Sequence, residues 1–274
     1  MSSLKTRTIS SLILLFIAVV AILWHQWSYM VLIAFVILLA SYEYVHMFKL
    51  RGYALSQGLV WAMNLVWLVD AIVDQNLLAP GLAIFFMLTA LWLLWRRRTQ
   101  ATGTALSETW ALTLAGGMYF GMGGAYLLRL RASPEGLWWI LTAFPILWIG
   151  ESAAYLVGSR WGQHKIAPHI SPGKSWEGFA AECMSGLLTG AAFGALWPVL
   201  SGLTLTLNGY SGLFLGCILS VFTPAGDFFI SLLKREIGVK DTSDLIPGHG
   251  GMLDRIDSLL WAGFITWVVM VALG

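Results

Sequence analysis

The feature that most constrains this chain is the recurrence of long apolar runs almost free of charge. They run from ISSLILLFIAVVAILW at residues 9–24 to DSLLWAGFITWVVMVAL at 257–273. A helix needs about 20 mostly apolar residues to cross a bilayer. Lipid offers no partners to backbone N–H and C=O groups, so only helices or a closed barrel can span it. These runs are too long for barrel strands of about 10 residues. The expected fold is therefore all-α: a polytopic membrane helical bundle. A mean hydropathy of +0.76 with 11% charged residues agrees, since soluble domains carry about 25% charge.

Nine spans are expected, near residues 9–24, 28–47, 56–74, 80–95, 107–128, 136–157, 178–197, 212–233 and 257–273. Residues 1–274 are read as a single integral-membrane domain, with N-terminal helices in 1–135 and catalytic helices and loops in 136–274. Lys5 and Arg7 before the first apolar run could mimic a signal peptide, but no small-residue cleavage site follows, so a retained first helix is expected. With a cytoplasmic N-terminus and alternating spans, 14 of the 16 basic residues fall on the cytoplasmic side, and only Arg129 and Arg131 fall outside. Cytoplasmic loops are enriched in Lys and Arg, so this arrangement is the expected one. Cys183 and Cys217 lie in apolar runs at no metal-binding spacing and read as small core residues. A net charge of +2 gives no reason to expect a nucleic-acid partner.

Against this background, residues 234–257 stand out. The 24-residue window KREIGVKDTSDLIPGHGGMLDRID holds nine of the 30 charged residues. Just before it, Asp227 lies in an apolar run, where a carboxylate is costly unless it is paired or coordinates a metal. At helical spacing Asp227, Ser231 and Lys234 share one face, with Arg235 beside them. Asp227 reads as either a metal ligand or half of a structural ion pair. Asp254 and Asp257, three residues apart, share a face at the entry to the ninth span, although acids there also suit a helix start. Between the basic cluster and this pair lies Pro247-Gly248-His249-Gly250-Gly251. Glycines permit positive φ and close backbone approach, and successive N–H groups in such turns bind phosphate oxygens.

The other long charged connection contains PHISPGKSWEG, where Ser171-Pro172-Gly173 signals a turn that presents Lys174. Trp176 reads chiefly as a membrane-interface residue. Two further acids lie in apolar runs: Glu151 in WIGESAAYLVG, and Glu43 in SYEYVHMF, which either lines a cavity or pairs with Lys49 or Arg51. Hard oxygen donors suit Mg2+, which takes one or two carboxylates plus substrate phosphates, and Lys and Arg suit phosphate. The residues alone therefore point to metal-dependent phosphoryl or nucleotidyl transfer at the cytoplasmic membrane face, between a soluble polyanion and a lipid.

The run Ser231-x-Leu233-Lys234-Arg235-x4-Lys240-Asp241-x-Ser243-x2-Ile246-Pro247-x-His249-Gly250-Gly251-Met252-x-Asp254-Arg255-Ile256-Asp257 resembles the C-terminal signature of the phosphatidate cytidylyltransferases, the CDP-diacylglycerol synthases. Ala154-Tyr155 and Ile170 through Gly178 resemble the same family, as does Tyr42-Glu43-Tyr44 more weakly. The resemblance implies the reaction of CTP with phosphatidate to give CDP-diacylglycerol and pyrophosphate. It also implies Mg2+, a monovalent cation such as K+ beside it, and a homodimer in a bacterial inner or plasma membrane. The family's metal-binding acids map onto Asp227 and Asp254. Lys234, Arg235, Lys240 and Arg255 join them as candidate catalytic residues, and Ser171, Lys174, Ser231, His249, Gly250 and Gly251 as candidate phosphate-binding ones. Asp257, Glu151 and Glu43 are secondary candidates. Glu151 stands where the family usually has Asp, one methylene shorter, and Ser175 where it usually has Thr. His249 reads mainly as a loop-shaping hydrogen bonder, with an acid role toward pyrophosphate as the alternative.

Three rivals fit less well. A transferase that consumes CDP-lipid would carry a D-G-x2-A-R motif, yet the chain has no Asp-Gly pair. A CTP-dependent lipid kinase would release CDP instead of pyrophosphate. A transporter often shows repeated halves, and no repeat is evident.

Overall fold

The computed structural model describes residues 3–73, 77–99, 106–248 and 250–273. Among them the chain forms ten α-helices and one two-stranded hairpin. In order these are α1 (Ser3–Trp24), α2 (Gln26–Leu50), α3 (Gln57–Val73), α4 (Leu78–Thr99), α5 (Leu106–Ala132), α6 (Gly136–Trp161), β1 (Lys165–Ala167), β2 (Ser171–Ser175), α7 (Trp176–Ser201), α8 (Gly209–Phe222), α9 (Pro224–Ile237) and α10 (Leu253–Leu273). The helical membrane fold is as expected, with the hairpin as an addition to it.

Each expected span falls on one helix or, for the eighth, on two, and among the described residues seven segments are long and apolar enough to cross a membrane. The apolar parts of the other two, Ile9–Trp24 and Gln57–Val73, are shorter. At 1.5 Å per residue, 17 residues reach about 26 Å, a little less than the hydrocarbon core. The expected eighth span consists of two helices, α8 and α9, which meet at Thr223. Thr223 keeps right-handed helical angles, φ −67° and ψ −30°, so no loop intervenes. Pro224 follows as the first residue of α9, where its missing N–H leaves no helical acceptor unmet. Asp227 thereby falls in the first turn of a helix whose last turn holds Lys234 and Arg235. Both charges complement the helix dipole.

The chain divides into two compact units. The first comprises residues 1–129 and 236–256, the second 130–235 and 257–274. In the first, Tyr29, Ile33, Ile37, Tyr44, Met63 and Phe120 are buried core residues of α2, α3 and α5. Tyr44 donates from its hydroxyl to the Leu112 carbonyl at 3.0 Å, tying α2 to α5. Asp70 of α3 is buried and pairs with Arg129 at 2.5 Å, while its other oxygen accepts from the Leu78 N–H at 2.9 Å. In the second unit α7 and α8 approach backbone to backbone. A Cβ on Gly190 would collide with the Gly212 carbonyl, and one on Gly216 with the Gly186 carbonyl. Membrane helices lack a hydrophobic drive to associate with each other, so such small-residue faces let backbones pack. Cys183 is half-buried and Cys217 exposed; both are free. Exposure removes Cys217 from the expected core set, because its side of α8 is not the one packed on α7.

The turn expected at Ser171-Pro172-Gly173 lies elsewhere. Those residues are in strand β2, antiparallel to β1. The turn is Ala167-Pro168-His169-Ile170, closed by the Ile170 N–H on the Ala167 carbonyl at 3.1 Å. Proline favours the second position of such a turn, so Pro168 outcompetes the later signal.

Candidate functional site

In the second unit, five elements bring titratable side chains together. Lys174, from β2, pairs with Asp227 of α9 at 2.6 Å and lies over the Phe228 ring, 4.5 Å from its centroid. Ser231, one turn further along α9, donates to the other Asp227 oxygen at 3.1 Å, as the shared face predicts. Lys234 is buried on the same helix. Arg235 turns toward the hairpin and donates to the Ile170 carbonyl at 3.2 Å. The hairpin is itself held against α6, because Ser175 caps α7 by accepting from the Gly178 N–H at 3.2 Å and a Cβ on Gly158 would sit 3.2 Å from the Ser175 hydroxyl. Ser171, in β2, is half-buried.

α9 and α10 meet where Gly226 abuts the Asp257 carbonyl, a contact no larger residue permits. Asp257 is buried at 7% exposure and interacts electrostatically with Asp227, Glu151 and Lys234. Its side chain accepts from the Ser258 N–H at 2.7 Å. Glu182 of α7, not singled out from the sequence, packs beside Gly150 of α6, within 3.3 Å of where a Cβ would lie. It interacts with Lys174, Glu151 and Asp227. Its signal was legible, since an acid in an apolar run is a site hypothesis by default.

In the first unit the candidates are differently employed. Asp254, in the first turn of α10, accepts on one oxygen from the Thr242 N–H (2.9 Å), the Thr242 hydroxyl (3.0 Å) and the Gly251 N–H (3.1 Å). Gly248 and Gly250 have φ of +79° and +77°, as a glycine-rich turn predicts. The Ile246 N–H closes the turn on the Gly250 carbonyl at 2.8 Å. His249 lies outside the described residues. Lys240 and Arg255 are exposed. Glu43, expected to line a cavity or pair with Lys49 or Arg51, is instead met by the hydroxyls of Thr242 (3.1 Å) and Ser243 (2.7 Å) and the N–H groups of Met252 (3.0 Å) and Leu253 (2.8 Å).

Among the described residues no three His, Cys, Asp or Glu side chains are placed to hold one ion. The donor chemistry nonetheless suits Mg2+. In the second unit Asp227, Glu151, Glu182 and Asp257 present oxygen donors, and Mg2+ commonly takes one or two carboxylates, with water and phosphate completing its shell.

The chain matches the model of the Cytidylyltransferase family over residues 5–273. It is 46% identical to a phosphatidate cytidylyltransferase of Haemophilus influenzae over 49% of this chain and 48% of the relative. It is 39% identical to one of Staphylococcus aureus and 38% to one of Staphylococcus saprophyticus, each over 52% of both chains. The matched region thus spans about half the length of these curated relatives.

Proposed function

The chain belongs to the cytidylyltransferase family, and from that premise we propose that it transfers the cytidylyl group of CTP to phosphatidate, giving CDP-diacylglycerol and pyrophosphate. The observation that carries the reading is the cluster in which Lys174 is held on Asp227 among Glu151, Glu182 and Asp257. Acids that gather a cation, beside lysines that meet phosphate, suit transfer between two polyanions.

The lipid phosphate is itself the nucleophile, so no side chain forms a covalent intermediate. An oxygen of phosphatidate bonds to the α-phosphorus of CTP, the bond to the bridging oxygen breaks, and pyrophosphate leaves in line. The protein's contribution is positioning and electrostatic stabilisation. Lys174 and Lys234 supply positive charge at the α9 face, and Arg235, steadied by the Ile170 carbonyl, supplies more at the hairpin. Ser171 and Ser231 contribute hydroxyls to the same region. Lys240, Arg255, Gly250 and His249 are assigned to phosphate contacts from the charged connection. The resemblance implies Asp227 and Asp254 as the acids that would hold Mg2+, which would supply charge neutralisation to the phosphates; K+ is the companion ion proposed with it. Asp227 holds Lys174 in an ion pair at 2.6 Å; an ion held by Asp227 would compete with that pair, and Lys174 would then meet substrate phosphate. We place the reaction at the cytoplasmic face of a bacterial inner membrane and in a homodimer.

Product analysis tests the reaction. With γ-labelled CTP, this reading expects the label in pyrophosphate and none in the lipid. Label transferred to lipid, with CDP released, would make the chain a lipid kinase instead.

A further inference from the structure

We infer that the C-terminal end of α2 is a two-point clamp on the charged connection, with Glu43 and Arg51 as its positioning residues. Glu43 is 3% exposed, a depth at which an unpaired carboxylate is strongly disfavoured. Its two oxygens accept four hydrogen bonds from one short segment, two from hydroxyls of Thr242 and Ser243 and two from N–H groups of Met252 and Leu253. Leu253 opens α10. The free N–H groups of a helix start favour an anion, and here that anion comes from another helix 210 positions away in the chain. Gly251 completes the fit, because a Cβ there would strike both the Glu43 carboxylate and the Thr242 hydroxyl.

The second point is Arg51. Its Nε donates to the Ile237 carbonyl at 3.1 Å and its Nη2 to the Glu236 carbonyl at 2.6 Å. These are the closing carbonyls of α9, which a cation suits. Eight residues along a helix separate Glu43 from Arg51 by about 12 Å. One rigid rod therefore grips the connection at its start and again at its return. Between the grips lie Lys240, Gly250 and, just past them, Asp254, whose oxygen accepts from the Thr242 N–H at 2.9 Å and shares the single Thr242 hydroxyl proton with Glu43. Glu43 thus acts on Asp254 through Thr242 and Gly251. This role rests on the proposed reaction for its catalytic consequence, but the clamp itself does not.

Glutamine at position 43 would turn an NH2 toward donors and keep one acceptor oxygen. Hydrogen exchange of the detergent-solubilised full chain tests this, comparing wild type with Glu43→Gln and with the milder Ser243→Ala, together with kinetics on phosphatidate and CTP. Amides of 242–253 are expected to exchange about tenfold faster in Glu43→Gln and by a smaller factor in Ser243→Ala, with α7 and α8 unchanged. The kinetic expectation is a kcat reduced about tenfold and a raised half-saturating Mg2+ concentration. Unchanged exchange in 242–253 in both variants would overturn the clamp. Faster exchange with unaltered kcat and Mg2+ dependence would reduce Glu43 to a structural tie. If wild type transfers no cytidylyl group, the reaction fails while the exchange comparison still decides the clamp. Should Glu43→Gln not fold, Ser243→Ala carries both comparisons.

Discussion

At the scale of single residues, the decisive groups are carboxylates placed where the surroundings are apolar. Asp227 shows how far such a residue can be read in advance. Its helix face with Ser231 and Lys234 follows from spacing alone, and the Ser231 bond at 3.1 Å realises it. Lys174, its ion-pair partner, comes from a strand 53 positions earlier, which no periodicity reveals. Glu182 and Asp70 were legible as acids in apolar runs, but their partners come from other elements, which the sequence does not reveal. Asp227→Asn is expected to lower turnover at least about 100-fold, the scale of losing one transition-state electrostatic contact, while the melting temperature in detergent stays close to wild type. Asp254→Asn is expected to do the same; near-normal activity from either variant would remove that acid from the metal assignment. Asp70→Ala acts on stability instead. It leaves Arg129 beside an apolar site and is expected to cost about 3 kcal/mol, measured by unfolding in mixed micelles.

At the scale of elements, the helices were legible because long apolar runs admit no other structure in lipid. Their joins were not. The α8–α9 junction turns on one proline inside an apolar run, and the β1–β2 hairpin on Pro168 outcompeting Ser171-Pro172-Gly173. Glycines recur every four residues in α7 (Gly186, Gly190, Gly194) and α8 (Gly212, Gly216), and the packing pairs these faces with each other. Gly190→Leu is expected to force these helices apart, costing about 1–3 kcal/mol and lowering the folded yield in size-exclusion profiles. A second latch joins the connections before α6 and before α8. Glu135 accepts from the Thr206 N–H at 3.0 Å and its hydroxyl at 2.7 Å. Burial pushes the Glu135 carboxyl up, but these bonds outweigh it and hold the group below the usual carboxylate range. The sign follows: stabilisation is present above the ordinary carboxylate pKa and is lost as pH falls through the lowered one. Glu135→Gln is therefore expected to lose about 1 kcal/mol near neutrality and to converge on wild type in acid, in melts recorded across that range.

At the scale of the whole molecule, the chain is a helical membrane protein of two compact units, and its family membership extends over nearly all its length. The charged window 234–257 was the most informative stretch of sequence because charge is scarce everywhere else. What it contributes is divided: its first two residues serve the second unit, the middle is held by α2 in the first, and Asp257 returns to the second. The proposed transfer binds these observations into one activity, and one assay tests it most directly. Purified chain in detergent micelles is given phosphatidate and CTP labelled at the α-phosphate, with and without Mg2+. The account predicts label in the lipid phase only when both phosphatidate and Mg2+ are present. Folded protein that leaves the lipid unlabelled under those conditions would contradict it.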